Sequence, residues 1–218
     1  MGINVKRACF FIAFFATIAV TSSHALTFAE LDRMAAKGDA EALFVVGYEY
    51  ITGGLVTKNE QTGFNCIKQS AEKGYVDAMY NLGVLYDRGI GVEKDLKKAF
   101  CWYEKAATAG DHRAQYNAGH MYFNGIGTLM DFEKAFYWFQ KSAAGGDDLA
   151  QHAVGLCYKK GDGVGKDEIK ALAWFLVAAV NSNEKASVNA QVLMRIMSNW
   201  DIDKAKQMAK EIQNEMTP

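Results

Sequence analysis

Two serine–lysine pairs have the spacing found in serine acyl-transfer enzymes. They are Ser70 with Lys73 and Ser182 with Lys185, and the Ser-Val-Asn run at residues 187–189 follows the second pair. In those enzymes the lysine lies beside the serine nucleophile, and a later Lys-Thr-Gly element completes the site. This sequence contains no Lys-Thr-Gly. Because a short motif without its structural context is weak evidence, the pairs alone do not predict an enzyme.

A glycine-rich run at residues 161–166 has the composition of a phosphate-binding loop. Such a loop follows a β-strand, and a serine or threonine comes directly after its lysine. Here the preceding residues have a helical pattern, and Asp167 follows Lys166. Similar glycine runs recur at a fixed interval along the chain. We therefore interpret this run as a structural turn.

Metal-ligating side chains are few and scattered. After residue 25 the histidines are His112, His120 and His152, and the sequence has no His-x-x-x-His or Cys-x-x-Cys pair. His120 and His152 fall on neighbouring predicted helices, but no further ligands converge on them. The sequence predicts no metal site and no cofactor.

Three cysteines follow residue 25, namely Cys66, Cys101 and Cys157. Cys66 and Cys101 fall on adjacent predicted helices, whose axes should lie about 8–10 Å apart. A disulfide requires Cα atoms within about 7 Å of each other. We therefore predict that none of the three pairs within the chain.

Composition argues against a nucleic-acid partner. The chain of 218 residues has 24 Lys and Arg against 25 Asp and Glu, for a net charge of −1, and no basic run. Nucleic-acid-binding proteins usually carry a clustered positive surface. The only proline is Pro218, and the lack of internal proline favours long uninterrupted helices.

The first 25 residues have the pattern of a cleavable export signal. Lys6 and Arg7 precede an apolar stretch at residues 8–20, and Ser23 and Ala25 supply the small residues of a cleavage site. The stretch is shorter than the ~20 apolar residues that span a bilayer. We expect cleavage after Ala25 and a periplasmic or secreted mature protein without a transmembrane anchor. An uncleaved anchor is the alternative.

A period of 36 residues runs through the rest of the sequence. It appears in series of identical residues: Gly38, Gly74, Gly110 and Gly146; Gly47, Gly83, Gly119 and Gly155; Ala42, Ala78, Ala114 and Ala150; Tyr50, Tyr86, Tyr122 and Tyr158. Periods of this length are typical of helical repeat arrays. In the second period Leu82 and Tyr86 lie on one helical stripe, and Gly83 beside them lets another helix approach closely. A glycine turn follows, and Asp95 is a suitable N-cap for a second helix.

These patterns predict an all-α, right-handed α-solenoid of about four to five helix-turn-helix repeats with capping helices. Neither helix of a repeat can bury its apolar stripe alone, so neighbouring repeats must stack. The predicted divisions are a signal at 1–25, a leading capping helix at 26–37, repeats at 38–73, 74–109, 110–145 and 146–183, and a degenerate fifth helix pair with C-terminal cap at 184–218.

The second repeat carries a family pattern in Ala78, Leu82-Gly83, Tyr86, Gly89-Ile90-Gly91-Val92, Lys98-Ala99, Trp102 and Lys105-Ala106-Ala107. This pattern resembles the Sel-one-like repeat (SLR), a relative of the tetratricopeptide repeat, and the resemblance covers residues 27–183. It implies a protein- or peptide-binding adaptor of the cell envelope or secreted space, with the ligand on the concave face, rather than an enzyme. The first repeat departs from the pattern at Leu55, Gly63 and Cys66.

The resemblance leaves two alternatives open. One is a structural component of a larger envelope assembly. The other is a β-lactam-binding or β-lactamase-like enzyme, because some SLR proteins have been linked to β-lactams. Against the enzyme, Ser70 occupies a repeat position that Ala106, Ser142 and Ala178 fill elsewhere, which indicates a small-residue packing position.

The outward side of the first helix in each repeat is the predicted binding surface. In the second repeat Leu82 faces the core, so Tyr80 and Val84, about 160° away, face outward. The predicted binding residues are Phe44, Tyr48, Tyr80, Asn81, Val84, Tyr116, Asn117, His120, Phe123 and His152. Aromatic rings supply contact area, and asparagine amides can bind an extended peptide backbone. The alternative is that Phe44, Tyr80 and Tyr116 only pack between neighbouring first helices.

Overall fold

The computed structural model describes residues 26–216, which form eleven α-helices without a β-strand. The first helices of the pairs, here called A helices, are α2 (Ala40–Thr52), α4 (Val76–Arg88), α6 (His112–Asn124), α8 (Asp148–Lys160) and α10 (Glu184–Met194). The others are α1 (Phe28–Ala36), the B helices α3 (Glu60–Glu72), α5 (Leu96–Thr108), α7 (Phe132–Ala144) and α9 (Glu168–Val180), and the last helix α11 (Asn199–Met216). The prediction of an all-helical solenoid is confirmed.

Some sequence predictions lie outside the described residues. The export signal and its cleavage site fall within residues 1–25. Between residues 26 and 216, no helix has the length and apolar character needed to cross a membrane.

Side-chain caps fix where the helices begin. At α5 the Asp95 carboxylate accepts a hydrogen bond from the Lys98 backbone N–H at 3.0 Å. This bond satisfies one of the amide groups that the first turn leaves without a helical partner. Asp or Asn side chains cap the other A and B helices in the same way, except α4, which begins after Tyr75.

Glycine is required in the turn between an A helix and its B helix. Gly127 has a φ of +69°, and a Cβ there would lie 2.2 Å from the Leu96 carbonyl oxygen of the preceding repeat. Gly91 and Gly163 make the same close approach to the carbonyls of Glu60 and Phe132. The turn thus packs directly against the start of the previous B helix.

The helices stack in chain order from α1 to α10, each packing on the next. Small residues allow this close packing: Ala78, Ala99 and Ala106 are completely buried. A Cβ at Gly83 would lie 2.7 Å from the Tyr103 ring, so this glycine lets α4 and α5 approach closely, as predicted.

The last helix does not form a hairpin pair with α10. Instead α11 packs along α9, burying Ala205 and Ala209 against it. The covered side of α9 carries Ala173 and Val177, both fully buried. The predicted fifth helix pair is therefore only half present: α10 continues the A-helix series, but α11 covers the fourth repeat instead of pairing with α10.

The three cysteines in the described part of the chain have free thiols. Cys157 is 1% exposed, and its burial raises the pKa of the thiol to about 12. Cys66 is half-buried, and Cys101 is exposed.

Candidate protein-binding surface

The A helices lie side by side with their repeat positions aligned. The Arg113 guanidinium of α6 contacts the Asp77 carboxylate of α4 at 2.5 Å, across one repeat step. Between α8 and α10, the Asn189 amide and His152 Nε2 are 2.9 Å apart. Residues 36 positions apart are therefore neighbours in space. We call the outward sides of α2, α4, α6, α8 and α10 together the A-helix face.

Phe44 is not available for binding, and this prediction was wrong. Its side chain is 5% exposed, and its ring lies 5.4 Å from Tyr75 and 6.5 Å from Tyr48 between ring centroids. The large ring at this position packs inward against the start of the next A helix, so it belongs to the core.

Tyr80 and Tyr116 are half-buried. Tyr80 lies 5.9 Å from the Tyr103 ring, and the Arg113 guanidinium lies 4.4 Å from its centroid. The pKa of the Tyr80 hydroxyl is raised, mainly because the side chain is buried. The Tyr116 ring packs on Phe139 at 5.8 Å. The packing alternative therefore accounts for much of each ring, and each side chain keeps part of its area exposed.

The amide groups on this face are already used within the chain. Asn81 donates from Nδ2 to the Asp77 carbonyl oxygen at 2.8 Å. Asn117 shares a hydrogen bond with the Tyr80 side chain, and Asn189 contacts His152 in the equivalent way one pair of repeats later. Asn117 and Asn189 connect neighbouring A helices, and Asn81 bonds to the preceding helical turn of α4. We therefore expect substitution of these amides to lower stability as well as any binding.

The remaining predicted residues keep part of their surface open to solvent. His120 is exposed, while Tyr48, Val84, Phe123 and His152 are half-buried. Phe123 packs at 5.1 Å on Phe132, and His152 at 5.5 Å on Phe175. Together they form a band of apolar and aromatic groups across the face.

Sequence reasoning missed the part of the face on α10. Val188, Val192 and Ile196 are 60%, 44% and 71% exposed. They occupy the repeat positions of His152, Leu156 and Lys160, one step of 36 residues later. The 36-residue step, extended past the fourth repeat, is the sequence signal that indicates these positions.

The serine positions offer no support for acyl transfer. Ser70 is fully buried, and its hydroxyl donates to the Ala40 carbonyl at 2.5 Å. Ser142 donates in the same way to the His112 carbonyl at 2.7 Å. Each hydroxyl thus ties the end of a B helix to the start of the A helix before it.

The glycine turns and histidines also lack the features of a ligand site. A shallow depression beside Gly163 is lined by Asp131 and Glu133, whose carboxylates would repel a phosphate. Within residues 26–216 no group of three or more potential ligands is placed to hold a metal ion.

Comparison with solved structures places the fold. A protective antigen of uropathogenic Escherichia coli with an SLR fold superposes with a TM-score of 0.79 at 28% identity, over 88% of this chain and 41% of its own. A Sel1 repeat protein of Oxalobacter formigenes gives 0.72 at 31% identity, over 80% and 52%. This chain thus spans about half or less of the length of these two proteins.

A more distant likeness concerns the fold alone. An immunity protein of Pseudomonas aeruginosa superposes with a TM-score of 0.51 at 14% identity, over 100% of this chain and 85% of its own. No curated protein is significantly similar in sequence.

The family assignment comes from the repeats themselves. Residues 40–75, 76–111, 112–147 and 148–179 each match the Sel1 repeat. These matches begin two residues after the repeat starts chosen from the sequence, and they cover more than half of the chain. The resemblance to the Sel-one-like repeat is confirmed, and the chain belongs to the Sel1 repeat family.

Proposed function

We propose that this protein is a non-enzymatic adaptor that binds another protein or a peptide on its A-helix face. The observation that supports this most is the continuity of the face, on which five A helices place equivalent positions side by side. Sel1 repeats commonly mediate protein interactions, and the family is generally non-enzymatic. A surface of partly exposed aromatic and aliphatic groups is what a protein partner requires at the centre of an interface.

A pull-down with matched variants tests the binding face. His120→Asp introduces a negative charge at an exposed position in the centre of the A-helix face. Gln140→Asp introduces the same charge at an exposed position on α7, outside that face. Both variants should have the same melting temperature as the wild type. In extracts of the native envelope we expect wild type and Gln140→Asp to retain one discrete partner, and His120→Asp to lose about tenfold in bound partner.

Three results would contradict the proposal. Equal capture by both variants would remove the A-helix face as the binding site. A fixed stoichiometric complex of many subunits would favour the structural-component alternative. Turnover of a β-lactam that stops in Ser70→Ala would favour the enzyme.

We also propose that the protein is exported and that its signal is cleaved after Ala25. The support is the order of Lys6 and Arg7, the apolar stretch at residues 8–20, and the small residues Ser23 and Ala25. N-terminal sequencing of protein from separated cell fractions tests this. Leu26 as the first residue in the soluble exported fraction is expected. An intact N-terminus in the membrane fraction would indicate an uncleaved anchor.

A further inference from the structure

The charge of the A-helix face changes sign along the array. On α2 and α4 the outward positions carry Glu41, Asp77, Asp87 and Arg88. On α8, at the start of α10 and directly after α10, the same positions carry four cations: Lys159, Lys160, Lys185 and Arg195. Three acidic residues lie nearby: Asp148 and Glu184 are each the first residue of a helix, at the edge of the face, and Asp162 follows Lys160 in the turn after α8. The C-terminal part of the face is therefore positive and the N-terminal part is negative.

The four cations have no acidic partner within residues 26–216. Some bases elsewhere are paired: Arg113 contacts Asp77 and Asp111, and the turn residue Lys166 contacts Glu168 at 3.0 Å. Others within residues 26–216, such as Lys97 and Lys210, form no ion pair, so it is the grouping of the four cations on one face that matters. Lys160, Lys185 and Arg195 are exposed, and Lys159 is half-buried. Asp148 accepts a hydrogen bond from the Asn183 side chain at 3.0 Å.

Apolar side chains lie between these cations. Val188, Val192 and Ile196 follow Lys185 at steps of three or four residues, so they lie on the same side of α10 and the turn after it. On α8 the half-buried Leu156 is the repeat neighbour of Val192. A row of exposed aliphatic groups bordered by charge is typical of a surface that another molecule covers.

The course of α11 explains why this row is open. In earlier repeats a glycine of the A helix lies against the B helix of its own pair, as Gly155 does against Phe175. On α10 the equivalent position is the exposed Gln191, and α11 packs on α9 instead. The chain thus covers the outer side of the fourth repeat and leaves α10 as the last A helix of the face.

We propose that the C-terminal part of the A-helix face, comprising Lys159, Lys160, Lys185, Arg195, Leu156, Val188, Val192 and Ile196, binds an acidic segment of a partner protein that also carries aliphatic side chains. This inference rests on the proposed function and specifies the partner's chemistry. Carboxylates of the segment pair with the four cations, and its aliphatic groups cover the valines and Ile196. Complementary charge of this kind raises the association rate and determines which partners are accepted.

Two designed peptides test the charge preference. One is a soluble peptide of glutamate, leucine and glycine, and the other has lysine in place of each glutamate. With fluorescein-labelled peptides and purified protein, anisotropy should show binding of the acidic peptide only. The affinity should fall as salt is added, because exposed charges are screened. Equal binding of the basic peptide, or equal binding of a single-stranded oligonucleotide of the same charge, would overturn the proposal.

Matched variants locate the site. Lys160→Glu with Lys185→Glu should weaken binding of the acidic peptide by about tenfold or more, and Val188→Asp should weaken it without changing any cation. The control is Lys97→Glu with Lys210→Glu, which makes the same charge change at exposed positions on α5 and α11. Circular dichroism verifies that all variants are folded. If the control weakens binding as much as the test pair, the proposed site is wrong.

The outcome separates this inference from the proposed function. If no variant of α8 or α10 affects the acidic peptide while His120→Asp still lowers partner capture, the adaptor function stands and the acidic-segment site fails. If His120→Asp also captures normally, both fail.

Discussion

At the scale of single residues, the turn glycines are the positions where identity is most strictly required. Gly127 combines a positive φ with a position at which a Cβ would lie 2.2 Å from the Leu96 carbonyl oxygen. Gly110 has a φ of +101° but no atom within 4 Å of a built Cβ. Substitution of Gly110 therefore measures backbone strain alone, whereas substitution of Gly127 adds a steric collision.

We expect Gly127→Ala to destabilise the protein much more than Gly110→Ala. The left-handed conformation alone costs alanine about 1–2 kcal/mol, and at Gly127 the turn must also move away from α5. The urea midpoint should fall slightly for Gly110→Ala, and the free energy of unfolding should fall by at least ~2 kcal/mol more for Gly127→Ala. Equal effects would show that the turn adapts and that the contact with Leu96 is unimportant.

The candidate site could be predicted from sequence only in its outline. Helical periodicity placed Tyr80, Val84 and His120 on the outward side. It could not distinguish a ring that points outward from one that turns inward, and so it misplaced Phe44. Whether an amide such as Asn117 is available depends on a side chain in another repeat, and no pattern within one helix carries that information.

At the scale of elements, the residues of α9, rather than those of α11, indicate where α11 packs. The outer positions of α5 and α7 hold polar or exposed residues, such as Lys105 and Lys141, whereas α9 has Val177 there. A helix that is apolar on all sides must be covered on all sides. The pattern within α11 predicts a C-terminal cap but does not indicate which helix it covers.

The same reasoning explains Leu55 in the first turn. Gly91 is required because the start of α3 lies against it. α1 begins at Phe28, one repeat step before Phe64 inside α3, so the described part of α1 has no turn that would meet Leu55. Leu55 is 67% exposed. Among the described residues, none requires glycine at position 55.

We expect Val177→Lys to detach α11 from α9. Val177 is fully buried beneath α11, and burying such a side chain contributes about 1.5–3 kcal/mol. The control is Val180→Lys, because Val180 is 72% exposed on the same helix. Hydrogen exchange should show faster exchange throughout α11 for Val177→Lys and little change for Val180→Lys. Unchanged protection of α11 in Val177→Lys would mean that other contacts hold it.

At the scale of the whole molecule, the stability of each repeat should depend on its contacts with the adjacent repeats. Each helix from α1 to α10 packs on the next in chain order, and α11 packs extensively on α9. The overall architecture was predictable because every repeat carries the same sequence pattern. The packing of the terminal helices was harder to predict, because each terminal segment occurs only once in the chain. In such an array the stability of one repeat depends on its own packing and on its immediate neighbours.

Deleting residues 200–218 should therefore destabilise the array from its C-terminal end. The deletion removes Ala205 and Ala209 and uncovers Ala173 and Val177 of α9, which are fully buried in the intact chain. Exposed aliphatic area on α9 weakens the fourth repeat directly, and the third repeat only through its contact with α8. Hydrogen exchange on the truncated protein should show the largest loss of protection in α9 and α10, a smaller loss in α7 and α8, and almost none in α2 and α3. A uniform loss from α2 to α10 would show that the array unfolds as a single unit, and nearest-neighbour stacking would not describe it.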